Sequence, residues 1–322
     1  MAFFNVLKRM KRIIGQYGGH HPGPLVVATG ALHGNEPAGV QALTEVFQWL
    51  HHTTAGQPGF AFKGQLIGLI GHRQAFGRRQ RFIRQDLNRL WLPATVQEIL
   101  DENPESLQDE RLEIRELYTA IGQAVQTEKP ETLVLLDLHT TSAGGGIFCI
   151  PTDEGDSLAL AREMHTPVIL DLFEGISGTL LGFATEGHFK QGGFPKRTLG
   201  VAFEAGQHQD PVSVSRSVSA ILHCLRGAGC IQPEEMDSRY AAILQQYSLG
   251  LPEVTRLQYV HQVQPGDQFR MRPGYANFQA IRAGEHLADD RAGPLHATCD
   301  GLILMPLYQP QGADGFFVVK PA

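Results

Sequence analysis

The stretch LVVATGALHGNEPAG, residues 25–39, joins a short apolar run to a glycine-rich turn that carries polar side chains. The run does not alternate between apolar and polar residues, and an unbroken run is typical of a strand buried on both faces of a mostly parallel sheet. Comparable runs at residues 65–70, 132–137, 168–172 and 199–204 predict four more strands of this kind.

Helical periodicity fills the intervals between these runs. Apolar residues recur at a spacing near 3.6 within residues 36–51, 107–126 and 210–226, and the last segment opens with Asp-Pro, a helix-start signal. The alternation of strand and helix over residues 20–228 predicts an α/β fold, with a mostly parallel mixed sheet flanked by helices.

The character of the sequence changes after residue 229. Short β-rich segments at residues 255–264, 269–271, 278–281, 301–307 and 316–319 are separated by Gly/Pro turns. We therefore predict two domains, residues 1–228 and a small C-terminal all-β domain of residues 229–322. Part of the second resembles a biotinyl/lipoyl-type β-hammerhead, but without a Met-Lys-Met turn a swinging-arm carrier is not expected.

Composition excludes several functional classes. With 27 Lys and Arg against 33 Asp and Glu, the formal net charge is −6, which argues against nucleic acid as a partner because that role needs a basic face. No window approaches about 18 uncharged apolar residues, so neither a membrane-spanning helix nor a membrane partner is expected. The four cysteines lie far apart without a CxxC pair, which predicts free thiols in a reducing cytoplasm.

The amino-terminal stretch MAFFNVLKRMKRIIGQYGG is basic, and its apolar residues are interrupted by charged ones. It lacks the continuous apolar core and small-residue cleavage site of a signal peptide, so we expect a cytoplasmic protein. The basic side chains of Lys8, Arg9, Lys11 and Arg12 are expected to be solvated at the edge of a first strand or helix. The sequence does not determine the oligomeric state and is compatible with a homo-oligomer.

Side chains that can bind a metal follow two of the predicted strands. His33 and Glu36 lie three residues apart in the turn after the first strand, a spacing at which both can reach one ion. The alternative is a surface histidine and a glutamate favoured by the helix dipole. His139 follows the strand at residues 132–137, at the carboxyl end where open α/β sheets keep their sites.

Glu204 ends the apolar strand at residues 199–204. A carboxylate in that position is costly to bury unless it has a partner or a role, although it could instead cap the following turn. The segment RRQRFIRQDLNR, residues 78–89, is densely charged and would ordinarily be a solvated loop. However, an Asn-Arg pair such as Asn88 and Arg89 can bind a substrate carboxylate through forked hydrogen bonds.

Four motifs in order resemble the succinylglutamate desuccinylase/aspartoacylase branch of the zinc carboxypeptidase superfamily. They are GxxHGNEPAG at residues 30–39, DLNR at 86–89, DLHxT at 137–141 and FExG at 203–206. The resemblance covers roughly residues 22–228. It implies a carboxypeptidase-like fold and a zinc-dependent amide hydrolase that deacylates a small N-acyl amino acid.

The resemblance also implies roles for single residues. One zinc ion per chain would be held by His33, Glu36 and His139, which leaves a position open for water, and a catalytic zinc lowers the pKa of its water to about 7. Glu204 would be the general base and then the acid that protonates the leaving amine.

The charged segment supplies the remaining roles. Arg81 matches the residue that polarises the scissile carbonyl and stabilises the oxyanion. Asn88 and Arg89 match the pair that holds the α-carboxylate of the leaving amino acid. Asp86 matches the carboxylate that orients a zinc-bound histidine.

The sequence departs from aspartoacylases at positions that grip the second carboxylate of aspartate. Counting back from Glu204 without gaps, Phe183 and Gly187 stand in place of a Tyr and an Arg, and Phe316 stands in place of a C-terminal Tyr. These departures argue against aspartate as the substrate. Three residues of a Gly-rich loop could supply other contacts, although their position favours plain surface residues: His188, Lys190 and Lys196.

Two other functions are compatible with the same motifs. One is a metallocarboxypeptidase or peptidoglycan-peptide amidase with a longer substrate. The other is a non-catalytic metal-binding or carrier module that uses the hammerhead-like segment.

Overall fold

A computed structural model of the chain describes residues 10–18, 21–57, 59–190 and 193–322. Within them the helices are α1 (Ala38–Gly56), α2 (Arg73–Arg78), α3 (Pro93–Asp101), α4 (Asp109–Glu128), α5 (Asp156–Arg162), α6 (Leu172–Gly175), α7 (Leu180–Thr185), α8 (Ser213–Gly227), α9 (Ser238–Ala241) and α10 (Ile243–Tyr247), with short 3₁₀ turns at Leu87–Arg89 and Pro233–Glu235.

The strands are β1 (Ile13–Gly18), β2 (Leu25–Gly30), β3 (Gln65–Ile70), β4 (Thr132–Thr141), β5 (Phe148–Pro151), β6 (Val168–Leu170), β7 (Arg197–Gln207), β8 (Val254–Gln262), β9 (Arg270–Met271), β10 (Gln279–Ile281), β11 (His286–Asp290), β12 (Gly293–His296), β13 (Gly301–Leu304) and β14 (Asp314–Pro321).

The parallel centre of the sheet is built from the predicted apolar runs. Strand β2 pairs in parallel with β3 and β4, and β4 pairs in parallel with β7. Alternate side chains of β2 enter two different cores: Val26 packs with α1 and α8, whereas Val27 packs with α4. Because both faces are covered, every residue of β2 is buried, and the unbroken apolar run is explained.

The predicted fold class is confirmed, and the ends of the elements differ in places. The strand predicted at residues 168–172 ends at Leu170, because Asp171 adopts a left-handed conformation (φ 62°) and α6 begins at Leu172. Asp is one of the few residues that tolerate this conformation. Strands β1 and β5, which pair antiparallel with β3 and β7, were not predicted, since β1 is half exposed and β5 has only four residues.

Arg12 contradicts the prediction of a solvated amino-terminal cluster. Its side chain is only 9% exposed and forms ion pairs with Glu113 and Glu116 of α4. These partners lie about a hundred residues away in the chain, so the local sequence does not reveal them. Lys11 is exposed as expected, and Lys8 and Arg9 lie outside the described residues.

The β-rich C-terminal segment extends the main sheet. Strand β8 pairs in parallel with β6, and β14, β13 and β10 follow, so that the sheet has eleven strands in the order β1-β3-β2-β4-β7-β5-β6-β8-β14-β13-β10. Strands β12, β11 and β9 form a separate small sheet. The division into domains at residues 228 and 229 stays a prediction.

Two further expectations can be compared with the structure. The four cysteines are free thiols, and three of them are buried. Among the described residues, no helix has both the length and the apolar character needed to cross a bilayer.

Candidate active site

Three potential metal ligands meet at the carboxyl ends of β2 and β4. His33 and Glu36 lie in the turn between β2 and α1, and His139 lies near the end of β4. The Nδ1 atoms of His33 and His139 are each 3.0 Å from a different carboxylate oxygen of Glu36. All three side chains are buried, and their ligand atoms lie within 4.8 Å of one another, so the cluster can hold a metal ion.

Two glycines allow the turn to pack tightly against the sheet. A Cβ on Gly30 would lie 2.7 Å from the backbone of Gly39, and a Cβ on Gly39 would lie 2.7 Å from the Cβ of Leu138. Only glycine fits both positions without displacing backbone. Gly30 and Gly39, the first and last residues of the GxxHGNEPAG motif, therefore allow the close packing that places Glu36 next to His139.

The outer nitrogens of the two histidines are held by carboxylates. His33 Nε2 is 3.1 Å from Asp86 Oδ1, and His139 Nε2 is 2.7 Å from Asp137 Oδ2. Such partners fix the orientation of an imidazole and direct its other nitrogen towards a metal. The family resemblance implied this position for Asp86 but no role for Asp137, although the i, i+2 spacing of Asp137 places it on the same face of the strand as His139.

The donor set fits zinc. Two imidazole nitrogens and one carboxylate form a common catalytic zinc site, and both Nδ1 atoms point at the Glu36 carboxylate. Burial alone would raise the pKa of Glu36, but the two histidines outweigh it and hold the pKa well below its usual value. The carboxylate is thus kept ionised, as a metal ligand must be.

The charged segment at residues 78–89 divides into a surface part and a part that enters the site. Arg78, Arg79 and Arg84 are exposed. The Arg81 guanidinium donates from Nε and Nη2 to Asp86 Oδ2, at 3.1 and 2.9 Å, and its Nη1 lies 3.5 Å from Glu36 Oε1. The usual interpretation of a densely charged segment as a solvated loop therefore does not apply to Arg81 and Asp86.

A buried glutamate anchors the backbone next to Arg81. Glu110 of α4 accepts hydrogen bonds from the backbone N–H groups of Ile83 and Arg84, and its carboxylate lies 3.0 Å from His72 Nε2. The backbone N–H of Arg81 donates to Gln311 of the C-terminal segment. These contacts hold the segment in place. Neither Glu110 nor Gln311 belongs to a motif, so neither could be recognised from the sequence.

Asn88 and Arg89 line the same pocket as the ligand cluster, and their side chains contact different parts of the chain. Asn88 Oδ1 accepts from the backbone N–H of Leu180, and Arg89 Nη1 donates to the carbonyl of Asn88 at 2.7 Å. Arg89 Nη2 forms an ion pair with Asp314 of β14. The Nε atom of Arg89 is buried and has no hydrogen-bond partner among the described residues.

Glu204 lies beside the ligand cluster. It is paired with His139 across the β4–β7 ladder and is only 7% exposed. Its Oε2 atom is buried and has no hydrogen-bond partner within the described part of the chain. Burial, with a further contribution from Glu36, raises the pKa of Glu204 to about 7, so that the carboxyl can exchange a proton near neutral pH.

These residues share one pocket with the C-terminal segment. All the site residues predicted from the sequence line the pocket except Asp86, which reaches it through His33 and Arg81. The loop between β13 and β14 supplies another wall, with Leu307, Gln309 and Gly312. No motif marked this loop in the sequence.

The residues that depart from aspartoacylases lie outside the pocket lining. Phe183 is buried in an aromatic cluster with Trp91, Tyr118 and Phe189. The surface interpretation of the Gly-rich loop agrees with the contacts of its cationic residues, since His188 pairs with Glu186, Lys190 Nζ donates to Gln97, and Lys196 is exposed.

In β14, the residue that faces the ligand cluster is the one after Phe316. Phe316 stacks on His261 in the C-terminal core, with ring planes 6° apart. Phe317 lines the pocket instead. Successive side chains of a strand point to opposite faces, so a one-residue offset decides which aromatic ring reaches the pocket.

Together, the fold and the site define an α/β protein with a candidate metal centre at the carboxyl edge of its sheet. Residues 22–194, just over half of the chain, match the succinylglutamate desuccinylase/aspartoacylase catalytic domain, and the chain belongs to that family. The activities in the family's name are hydrolyses of amide bonds, so this is a family of deacylases. The matched region includes every candidate site residue before β7, whereas Glu204 lies beyond it.

Known relatives agree with this assignment. A probable aspartoacylase from Nostoc sp. is 30% identical over 125 residues, which is 39% of this chain and only 38% of that relative. The crystal structure of succinylglutamate desuccinylase from Chromobacterium violaceum covers 99% of this chain and 97% of its own, at 18% identity and a TM-score of 0.62.

A second solved structure is the ectoine utilization protein EutE (DoeB) from Ruegeria pomeroyi, in a product-bound form. It covers 94% of this chain and 86% of its own, with 17% identity and a TM-score of 0.61. At such identities the likeness of the two solved structures shows the fold.

Proposed function

We propose that this protein is a zinc-dependent amide hydrolase that removes the acyl group from a small N-acyl amino acid. The observation that carries the proposal is the buried Oε2 atom of Glu204, which has no hydrogen-bond partner among the described residues and lies beside the His33–Glu36–His139 cluster. An ionisable group without a protein partner is costly to bury, and a proton-transfer role accounts for that cost.

The metal would be held by His33, Glu36 and His139. Zinc in such a site supplies polarisation of the scissile carbonyl and a water of lowered pKa. Glu204 accepts the proton of the attacking water and passes it to the leaving amine. Burial raises the pKa of the Glu204 carboxyl, which favours a group that must be a base first and an acid afterwards.

Arg81 and Arg89 each interact with a different negatively charged group, the oxyanion and the α-carboxylate of the substrate. The Arg81 guanidinium, which Asp86 holds next to Glu36, stabilises the oxyanion that forms at the acyl carbonyl. Arg89, which lines the pocket, holds the α-carboxylate with its guanidinium, and Asn88 positions Arg89 through its backbone carbonyl. The wall formed by the β13–β14 loop favours small substrates over peptides.

The proposal is tested by steady-state kinetics of the zinc-loaded protein on N-acetyl and N-succinyl amino acids and on tripeptides. We expect at least one acyl amino acid to be hydrolysed about 100-fold more efficiently than any tripeptide, because a misplaced scissile bond costs about that factor. Faster hydrolysis of the peptides would identify a carboxypeptidase or peptide amidase instead. Stoichiometric zinc without any hydrolysis would identify a non-catalytic metal-binding module.

Replacing Arg89 by Lys tests the carboxylate contact. Lysine keeps the positive charge beside Asp314 but cannot present the planar fork of donors. Loss of a charge-assisted hydrogen bond costs about 1.5–3 kcal/mol, so kcat/KM should fall by about ten- to 150-fold. For a substrate whose α-carboxylate is replaced by an uncharged amide, the loss should nearly vanish.

The matched control is Arg111→Lys, which changes an arginine that pairs with Glu102 on the protein surface. This variant should keep the kinetics of the wild type. If Arg89→Lys lowers kcat/KM equally for the acid and the amide, Arg89 has a structural role and does not hold the α-carboxylate.

A further inference from the structure

The uncharged lining of the pocket is largely apolar. Ile150, Leu172, Ile176, Leu181 and Phe317 all contribute to it. Four of these side chains are at least 95% buried, and Ile176 is half-buried. An apolar surface of this kind gains free energy from covering apolar groups and loses it when it desolvates a charge.

The cationic side chains that line the described part of the pocket are already engaged. Arg81 is bound to Asp86, and Arg89 is paired with Asp314. Under the proposed function, Arg89 takes the α-carboxylate of the substrate and Arg81 takes the oxyanion. No lysine or arginine among the described lining residues is then left for a second carboxylate.

Several neutral donors of the pocket are committed to the protein as well. The Thr141 hydroxyl donates to the carbonyl of Ala143, and the Ser142 hydroxyl donates to the carbonyl of Pro306. The Thr140 hydroxyl lies 2.7 Å from His208 Nδ1. The donors of the described lining that remain, such as Gln309 Nε2, whose Oε1 accepts from Asn35, are neutral. A second carboxylate would therefore be buried with few neutral donors and without a cation.

We propose that the substrate carries an apolar group where succinylglutamate and acylated aspartate carry a second carboxylate. The substrate class is then an N-acyl amino acid with one carboxylate and an aliphatic group, in its side chain or in its acyl chain. This inference rests on the proposed function. It gives Ile176 and its apolar neighbours the role of selecting the substrate.

Two pairs of isosteric substrates test the inference with the zinc-loaded protein. N-acetyl-leucine and N-acetyl-aspartate differ only at the side chain, and N-isocaproylglycine and N-succinylglycine differ only at the acyl end. In at least one pair, kcat/KM for the aliphatic member should exceed that for the dicarboxylate by about 100-fold or more, because an unpaired buried charge costs that much. A preference in the N-acetyl pair would show that the amino-acid side chain contacts the apolar wall. A preference in the glycine pair would show that the acyl chain contacts it.

A charge placed in the wall should reverse the preference. Ile176→Arg supplies a cation for the second carboxylate, so the ratio in the discriminating pair should shift by about tenfold or more towards the dicarboxylate. Ile176→Met controls for the change of shape. Leu249→Arg adds the same charge at a residue that is 76% exposed and outside the pocket lining, and it should leave the ratio unchanged.

The outcomes separate this inference from the function on which it rests. Equal or faster hydrolysis of both dicarboxylates by the wild type would overturn the inference and leave the deacylase function in place. If protein with bound zinc hydrolyses none of the four substrates, the inference is overturned, and the deacylase function is overturned with it only if no other N-acetyl or N-succinyl amino acid is hydrolysed. If Ile176→Arg fails to fold, the wild-type ratios alone decide the question.

Discussion

Replacing Glu204 by Gln is expected to lower turnover by about 10²–10⁴-fold, the usual contribution of general acid–base catalysis. Gln has the same shape as Glu but cannot accept the proton of the attacking water. The folded structure should tolerate the change, because the buried Oε2 atom makes no hydrogen bond to any described residue that the substitution would break. The change also removes a buried carboxyl whose pKa is raised by desolvation.

The measurement compares kcat, bound zinc and near-UV circular dichroism of the variant and the wild type. Glu154→Gln is the matched control, because Glu154 is an exposed glutamate that pairs with Arg256. The prediction is contradicted if Glu204→Gln turns over at the wild-type rate, and Glu204 would then have no part in proton transfer. Loss of zinc together with activity would instead show that Glu204 supports the metal site.

The double variant His33→Ala, His139→Ala is expected to lose bound zinc and, with it, nearly all turnover. Only Glu36 would be left of the cluster, and a single carboxylate does not retain zinc against dilution. Lewis-acid catalysis supplies several kcal/mol, so the rate should fall by about 10³-fold or more. The protein should also lose the stabilisation by zinc that binding to the native state provides.

Elemental analysis after dialysis measures the zinc content directly, and thermal unfolding with and without added zinc measures the stabilisation. His52→Ala with His296→Ala is the control, since it removes two exposed histidines. Undiminished zinc in the His33, His139 double variant would refute the ligand assignment whatever the activity. A zinc-dependent shift of Tm in the wild type that the double variant lacks would support it.

Much of the fold could be predicted because two-sided burial leaves an unmistakable pattern. Each of β2, β3, β4 and β7 contains a largely apolar run that does not alternate with polar residues, and the helices between them show regular periodicity. The pattern weakens where a strand is short or half exposed, as in β1 and β5. How the C-terminal strands join the main sheet could not be predicted, because periodicity shows that a strand exists but not which strand it pairs with.

The sequence by itself determined the cluster of His33, Glu36 and His139. Two of these residues share one turn, and parallel strands with a common register bring the third to the same edge of the sheet. Such placement depends on local backbone geometry and on a repeat that the sequence displays directly. Glu204 follows by the same logic, since it lies opposite His139 in the next strand.

Only the tertiary structure decided the surroundings of this cluster. Arg89 pairs with Asp314 across a separation of 225 residues, and Phe317 rather than Phe316 reaches the pocket. These outcomes depend on how distant segments pack and on the register of one late strand, and neither leaves a periodic signal in the sequence. The ligands of the candidate metal site are thus set by one local turn and by the register of adjacent parallel strands, whereas the charge and polarity that line the rest of the pocket are set by the packing of distant segments.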